Sequence, residues 1–138
     1  MADYTVKSVE EMEAIYDGIV RRARAALGAT AFGMQLMDLP PGWEGYPNHD
    51  HVNNSFDEND LGQEEVYVAL AGSATLRLDG ETHEMRPGVF ARVGAGQKRQ
   101  LVPGPDGFRM LAVGAHPGRA YTPPAWTEEG GPLPTDAA

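Results

Sequence analysis

Leu76-Arg77-Leu78-Asp79-Gly80-Glu81-Thr82-His83 sets an Asp-Gly pair between two short runs, a pattern that predicts a β-hairpin closed by a type I′ turn with positive φ at both central residues. Outward from this hairpin the same texture recurs. Pro87-Gly88 and Pro103-Gly104-Pro105-Asp106-Gly107 supply two further turns, because proline presets φ and glycine frees it. Strands are expected near residues 31–39, 49–53, 64–71, 73–79, 82–86, 89–93, 98–102 and 108–114, the spacing of an all-β sandwich or barrel.

Before this region the pattern differs. Ser8 with Glu11 three residues later reads as a capping box, and Met12, Ile15, Tyr16, Ile19, Val20, Ala23, Ala26 and Leu27 then recur at helical spacing. One amphipathic helix ending at Gly28 is expected. Its acids, Glu10, Glu11 and Glu13, lie near the start and Arg21, Arg22 and Arg24 near the end, so the arginines read as a solvated face matched to the helix dipole. After residue 115 the chain is rich in Pro, Gly and Glu, which predicts an extended strap or tail that Tyr121 and Trp126 anchor. The expected organisation is therefore a helix in 1–29, a β-domain in 30–115 and a proline-rich strap in 116–138.

Composition narrows the function classes. A chain of 138 residues with 41% hydrophobic and 22% charged residues suits one globular domain. The formal charge of -9 argues against nucleic acid or an anionic membrane as partner, since both need a concentrated basic surface. A small molecule or another protein is the expected partner. With no cysteine, disulfides, thiolate metal sites and a cysteine nucleophile are excluded together. No leader-like or membrane-length apolar run is evident, so the expected location is the cytoplasm.

His49-Asp50-His51 places two imidazoles at alternate positions, which on a strand face the same side about 6.6 Å apart. Glu64-Glu65-Val66-Tyr67-Val68-Ala69-Leu70-Ala71-Gly72 then puts an acid at the head of a strand closed by glycine. The arrangement Gly42…His49-x-His51…Glu65…Gly72 resembles the first motif of the cupin superfamily. Asp79-Gly80, Pro87-Gly88 and Gly94-Ala95-Gly96 resemble the turns that lead through the second, so the likeness spans roughly residues 30 to 115. The resemblance implies an antiparallel jelly-roll β-barrel. It also implies a divalent transition metal (Fe, Mn, Zn or Ni) held by His49, His51 and Glu65, and a homodimer. The reaction stays open among dioxygenase, isomerase and decarboxylase types, because fold does not fix function.

The chain departs from the family pattern twice. Thirteen residues, Val52 to Glu64, separate the second histidine from Glu65 where the family has three or four. This polar loop, with Asn53, Asn54, Asp57, Glu58, Asn59, Asp60 and Gly62, reads as a surface insertion in preference to a lid. The histidine of the second motif, the usual fourth ligand, is replaced by Arg99. Two outcomes follow. In one, His49, His51 and Glu65 form a facial two-histidine, one-carboxylate set with open positions, and Arg99 holds an anionic substrate. In the other, Arg99 pairs with Glu65 and the protein is a metal-free binding or sensing module. A cation and a guanidinium about 5 Å apart repel by several kcal/mol at an effective dielectric near 20, so the two outcomes compete. Tyr67 shares the parity of Glu65 and is a second candidate for substrate contact. His83 and His116 read as surface residues without a role.

Overall fold

The computed structural model describes residues 2–53 and 57–133. Its strands are β1 (Ala14–Ile15), β2 (Val20–Arg21), β3 (Gly33–Leu39), β4 (Glu64–Leu78), β5 (Glu81–Met85), β6 (Phe90–Val93) and β7 (Gln100–Ala115), with one short helix, α1 (Ala23–Leu27). Every pairing is antiparallel. The hairpin from β4 to β5 pairs Leu78 with Glu81, and Asp79 and Gly80 take φ of +46° and +87°, as a type I′ turn requires.

The expected closed jelly-roll barrel does not form. The strands make one open sheet in the order β1-β2-β3-β7-β4-β5, with β6 also on β4. Its spine is the β4–β7 pair: β7 runs along one side of β4, and β6 and β5 share the other at Glu65–Val68 and Ala74–Leu78. Closure would require a ladder between the β5 and β6 edge and the opposite edge. That opposite edge ends in β1 and β2, each two residues long, and among the described residues no such ladder joins them.

Separate strands expected at 64–71 and 73–79 are one strand, as are those at 98–102 and 108–114. Register shifts between Ala69 and Ala71 and between Gly72 and Ala74 carry each strand through without ending it. They also reset parity, so that Tyr67 and Ala69 before the shifts and Ala74 and Leu76 after them all join the core. Leu101, Phe108 and Met110 of β7 and Met85 of β5 complete its centre. Gly72, with φ +71°, is required here, because a Cβ would lie 2.1 Å from the Gly107 carbonyl oxygen.

The long N-terminal helix is also replaced. The Ser8–Glu11 capping box is present, but it caps a single 3-10 turn, Val9–Glu11. Tyr16, Asp17 and Gly18 all have positive φ and turn the chain into a hairpin that pairs Ala14 with Arg21 and Ile15 with Val20. Val20 then pairs with Met37 of β3 and is 4% exposed. Edge pairing to β3 has overridden the helical period, as β-branched Ile15, Ile19 and Val20 favour. Only Ala23–Leu27 is α-helical, ended by Gly28 in the left-handed region. The arginines are not a solvated face: Arg22 and Arg24 are buried. No helix among the described residues is long and apolar enough to cross a membrane.

Candidate metal-binding site

Three elements position the site. Glu65, the second residue of β4, pairs with Val93 of β6 on one side and Gly114 of β7 on the other. Both neighbours are therefore fixed by sheet pairing. Gly114 leaves room for the acid: a Cβ there would meet the Gln63 side-chain oxygen at 2.6 Å and Glu65 Cγ at 3.4 Å. Adjacent Glu64 has the opposite parity and pairs with exposed Arg92 at 2.7 Å.

The histidines do not lie on a strand of their own, as expected for 49–53. They lie on a segment docked against the turn before β7. His49 exchanges backbone hydrogen bonds with Arg99 (3.1 and 2.9 Å), and the His51 amide donates to the Ala95 carbonyl (2.8 Å). Buried Asp50 folds the chain beyond them, its Oδ1 accepting from the amides of Val52 (3.0 Å) and Asn53 (2.7 Å), an Asx turn.

This docking brings His49, His51 and Glu65 together, with one potential ligand atom from each lying within 4.8 Å of the others. His51 Nε2 is 3.3 Å from Glu65 Oε1, and the two imidazole centroids are 5.3 Å apart. His49 Nδ1 donates to the Pro47 carbonyl at 2.9 Å, so its proton is on Nδ1 and the lone pair is on Nε2. Burial lowers the pKa of both histidines, outweighing the Pro47 bond at His49 and, helped by the nearby Arg99 charge, taking His51 down to about 4. Both rings are thus neutral at neutral pH, the state a metal ligand needs.

Glu65 is the focus of the remaining polar groups. Tyr67 donates its hydroxyl to Glu65 Oε1 at 2.9 Å, and Arg99 Nη2 lies 3.8 Å from the same oxygen. Burial raises the Glu65 pKa, while Arg99 and the Tyr67 bond pull it back. Burial, then the Glu65 charge, pushes the Tyr67 phenol well above its ordinary value, which keeps it a hydrogen-bond donor. Arg99 is 0% exposed; its Nη2 donates to the Gly94 carbonyl at 3.1 Å, while Nε and Nη1 have no partner among the described residues. Arg99 thus places a buried positive charge beside the carboxylate.

Two imidazole lone pairs and a carboxylate in a partly buried cluster are a donor set that fits a divalent ion. Arg99 supplies no ligand in place of the missing fourth imidazole, but it leaves the three-residue set intact.

His83 is exposed, near Glu81 on β5. His116 corrects the sequence reading: it is 3% exposed, its Nε2 donates to the Asn59 carbonyl at 2.8 Å, and its ring stacks on Tyr121. The signal was available in the alternation of β7, since His116 has the parity of Gly114, which faces Glu65. Of the polar loop, Asn54 lies outside the described residues. The part at 57–63 holds a 3-10 turn at Glu58–Asp60 that Asp57 caps, and Gly62 donates to the His51 carbonyl at 2.7 Å.

No protein-family model matches the sequence, and comparison with curated proteins finds no relative. Solved structures do share the fold. A cupin protein from Bacteroides fragilis is similar at TM-score 0.61 and 23% identity, over 88% of this chain and 93% of that one. A structure from Silicibacter pomeroyi, described as a sugar phosphate isomerase from a cupin superfamily, is similar at TM-score 0.63 and 25% identity, over 80% of this chain and 74% of that one. The cupin domain of an XRE-family transcriptional regulator from Enterobacter cloacae is similar at TM-score 0.51 and 16% identity, over 65% and 85% of the two chains.

Proposed function

We propose that this chain, a member of the cupin superfamily by fold, binds a divalent transition metal through His49, His51 and Glu65 and acts on a small anionic organic molecule. The observation that carries the reading is the convergence of the three ligand atoms within 4.8 Å, with both histidines held neutral. A bound ion of this kind supplies Lewis-acid polarisation of a substrate oxygen. The chain's own residues do the rest. The Arg99 charge beside Glu65 favours an anionic substrate at the site, and the Tyr67 hydroxyl orients Glu65. The Silicibacter pomeroyi neighbour, described as acting on a sugar phosphate, supports an anionic substrate without fixing the reaction. A homodimer acting in the cytoplasm belongs to the same reading, and light scattering on the purified chain tests the dimer.

The direct test is metal analysis of protein purified without added metal, beside a His49→Ala, His51→Ala double variant. A stoichiometric ion in the first and none in the second is expected. Negligible metal in both removes the proposal.

A second reading is favoured by one contact, the 3.8 Å approach of Arg99 to Glu65: a metal-free module in which that pair organises a pocket for small carboxylates. Thermal shifts across a carboxylate panel, with and without chelator, separate the two. Binding that survives chelation supports the module, and binding lost on chelation counts against it.

A further inference from the structure

Residues 121–131 are tied to the rest of the chain at two places. On one side, buried Arg22 donates from Nε to the Trp126 carbonyl and from Nη2 to the Gly131 carbonyl, each at 2.9 Å, and from Nη1 to Glu13 Oε1. The same Glu13 oxygen accepts from the Gly130 amide at 3.0 Å, and Arg24 pairs with Glu128 at 2.9 Å. On the other side the segment grips the loop 57–63. Trp126 Nε1 donates to Asp60 Oδ2 at 3.2 Å, and the Ala125 amide donates to Asp57 Oδ2 at 2.9 Å.

That loop in turn holds His51. Gly62 donates to the His51 carbonyl at 2.7 Å, and the Asp60 backbone carbonyl faces the His51 ring. Nδ1 of His51 is itself buried. The loop backbone therefore holds His51 in place, and the C-terminal segment in turn holds the loop through Asp57 and Asp60.

We propose that the C-terminal segment 121–131 positions His51 for ligation, and that Trp126, acting through Asp60, is the positioning residue. Losing a group that orients a metal-binding histidine typically costs about 10- to 100-fold in metal affinity. The consequence for metal affinity rests on the function proposed above, whereas the consequence for the orientation of the His51 ring holds in metal-free protein.

The test uses the full chain with Trp126→Phe, which keeps an aromatic ring but removes the donor, and with Asp60→Ala and Asp60→Asn. Side-chain nitrogen resonances of His51 are recorded by NMR without metal, Co(II) affinity and its visible absorption are measured by titration, and melting temperature is followed in the same samples. Trp126→Phe and Asp60→Ala are expected to shift the His51 resonances while those of exposed His83 stay, to lower Co(II) affinity at least tenfold, and to alter the absorption bands. Asp60→Asn keeps an oxygen that accepts from Trp126 and is expected to stay within threefold of wild type. Should Trp126→Phe fail to fold, the Asp60 pair decides. Unchanged His51 resonances in Trp126→Phe and Asp60→Ala, or equal losses in Asp60→Ala and Asp60→Asn, overturn the proposal. A wild-type chain that takes up no Co(II) removes the metal reading, and the His51 resonances then decide this one alone.

Discussion

Replacing Arg99 by methionine is expected to raise affinity for a divalent metal tenfold or more at pH 8. Arg99 Nη2 lies 3.8 Å from Glu65 Oε1, a separation at which two unit charges attract by about 4 kcal/mol at an effective dielectric of 20. The guanidinium is fully buried, so solvent ions screen little of this. A metal that takes Glu65 as a ligand must share the carboxylate with the guanidinium. If a third of that attraction is recovered, about 1.4 kcal/mol, affinity rises tenfold. Methionine fills much of the space with a flexible apolar chain. The fold should tolerate it, because the variant loses one buried ion pair but also removes Nε and Nη1, donors with no partner among the described residues. A net loss of about 1–3 kcal/mol is expected. The effect also has a sign in pH. Burial already raises the Glu65 pKa, and Arg99 is the largest influence opposing it, so the variant's carboxyl rises further. Ligation needs the carboxylate, so the gain is full above that raised pKa and shrinks as pH falls through it. Competition of Zn²⁺ against a chromophoric chelator at pH 8 and pH 6 measures both. A folded Arg99→Met protein that binds Zn²⁺ no tighter than wild type at pH 8 refutes the argument.

Three further outcomes are expected. His51 is pushed down to about 4 from an ordinary 6.5, chiefly by burial, so between those values the unfolded chain binds more protons and stability falls as pH drops. At pH 5 this amounts to about 2 kcal/mol; Glu65, shifted upward, acts in the opposite sense, and comparing metal-free wild type with His51→Gln in urea at pH 7.5 and 5 isolates the histidine, no difference between the two slopes counting against the buried neutral ring. Gly114→Ala should press on Gln63 and Glu65, costing about 1–3 kcal/mol and weakening metal uptake in the same titration, whereas wild-type behaviour in both would mean that Glu65 has room to spare. Gly72→Ala meets the Gly107 carbonyl at 2.1 Å from a positive φ and should lose at least about 2 kcal/mol in urea unfolding without changing metal affinity per folded molecule.

Much of the local structure is legible in the sequence because it is set by neighbours a few residues apart. Asp79-Gly80 makes its turn wherever it is placed, since aspartate and glycine tolerate positive φ. The parity of Glu65 and Tyr67 within one run puts both side chains on one face, and the structure has them bonded at 2.9 Å. The same alternation carried past Gly114 points to His116, which lies where proline-rich sequence begins and is nonetheless buried. The capping box at Ser8 forms but starts only a 3-10 turn, since the apolar period of Ile15, Ile19 and Val20 serves a strand edge as well as a helix face.

What the sequence by itself determined is an antiparallel β-protein with two histidines and a glutamate at spacings that allow one site, because alternation and turn chemistry are local properties of the chain. Whether the sheet closes, where the buried arginines bond, and how near Arg99 comes to Glu65 were decided only by tertiary structure. Each depends on which segments distant in sequence pair or dock: β2 on β3, His49 against Arg99, Trp126 against Asp60. Those contacts are selected by the burial and hydrogen bonding of the whole chain at once, which no local pattern encodes.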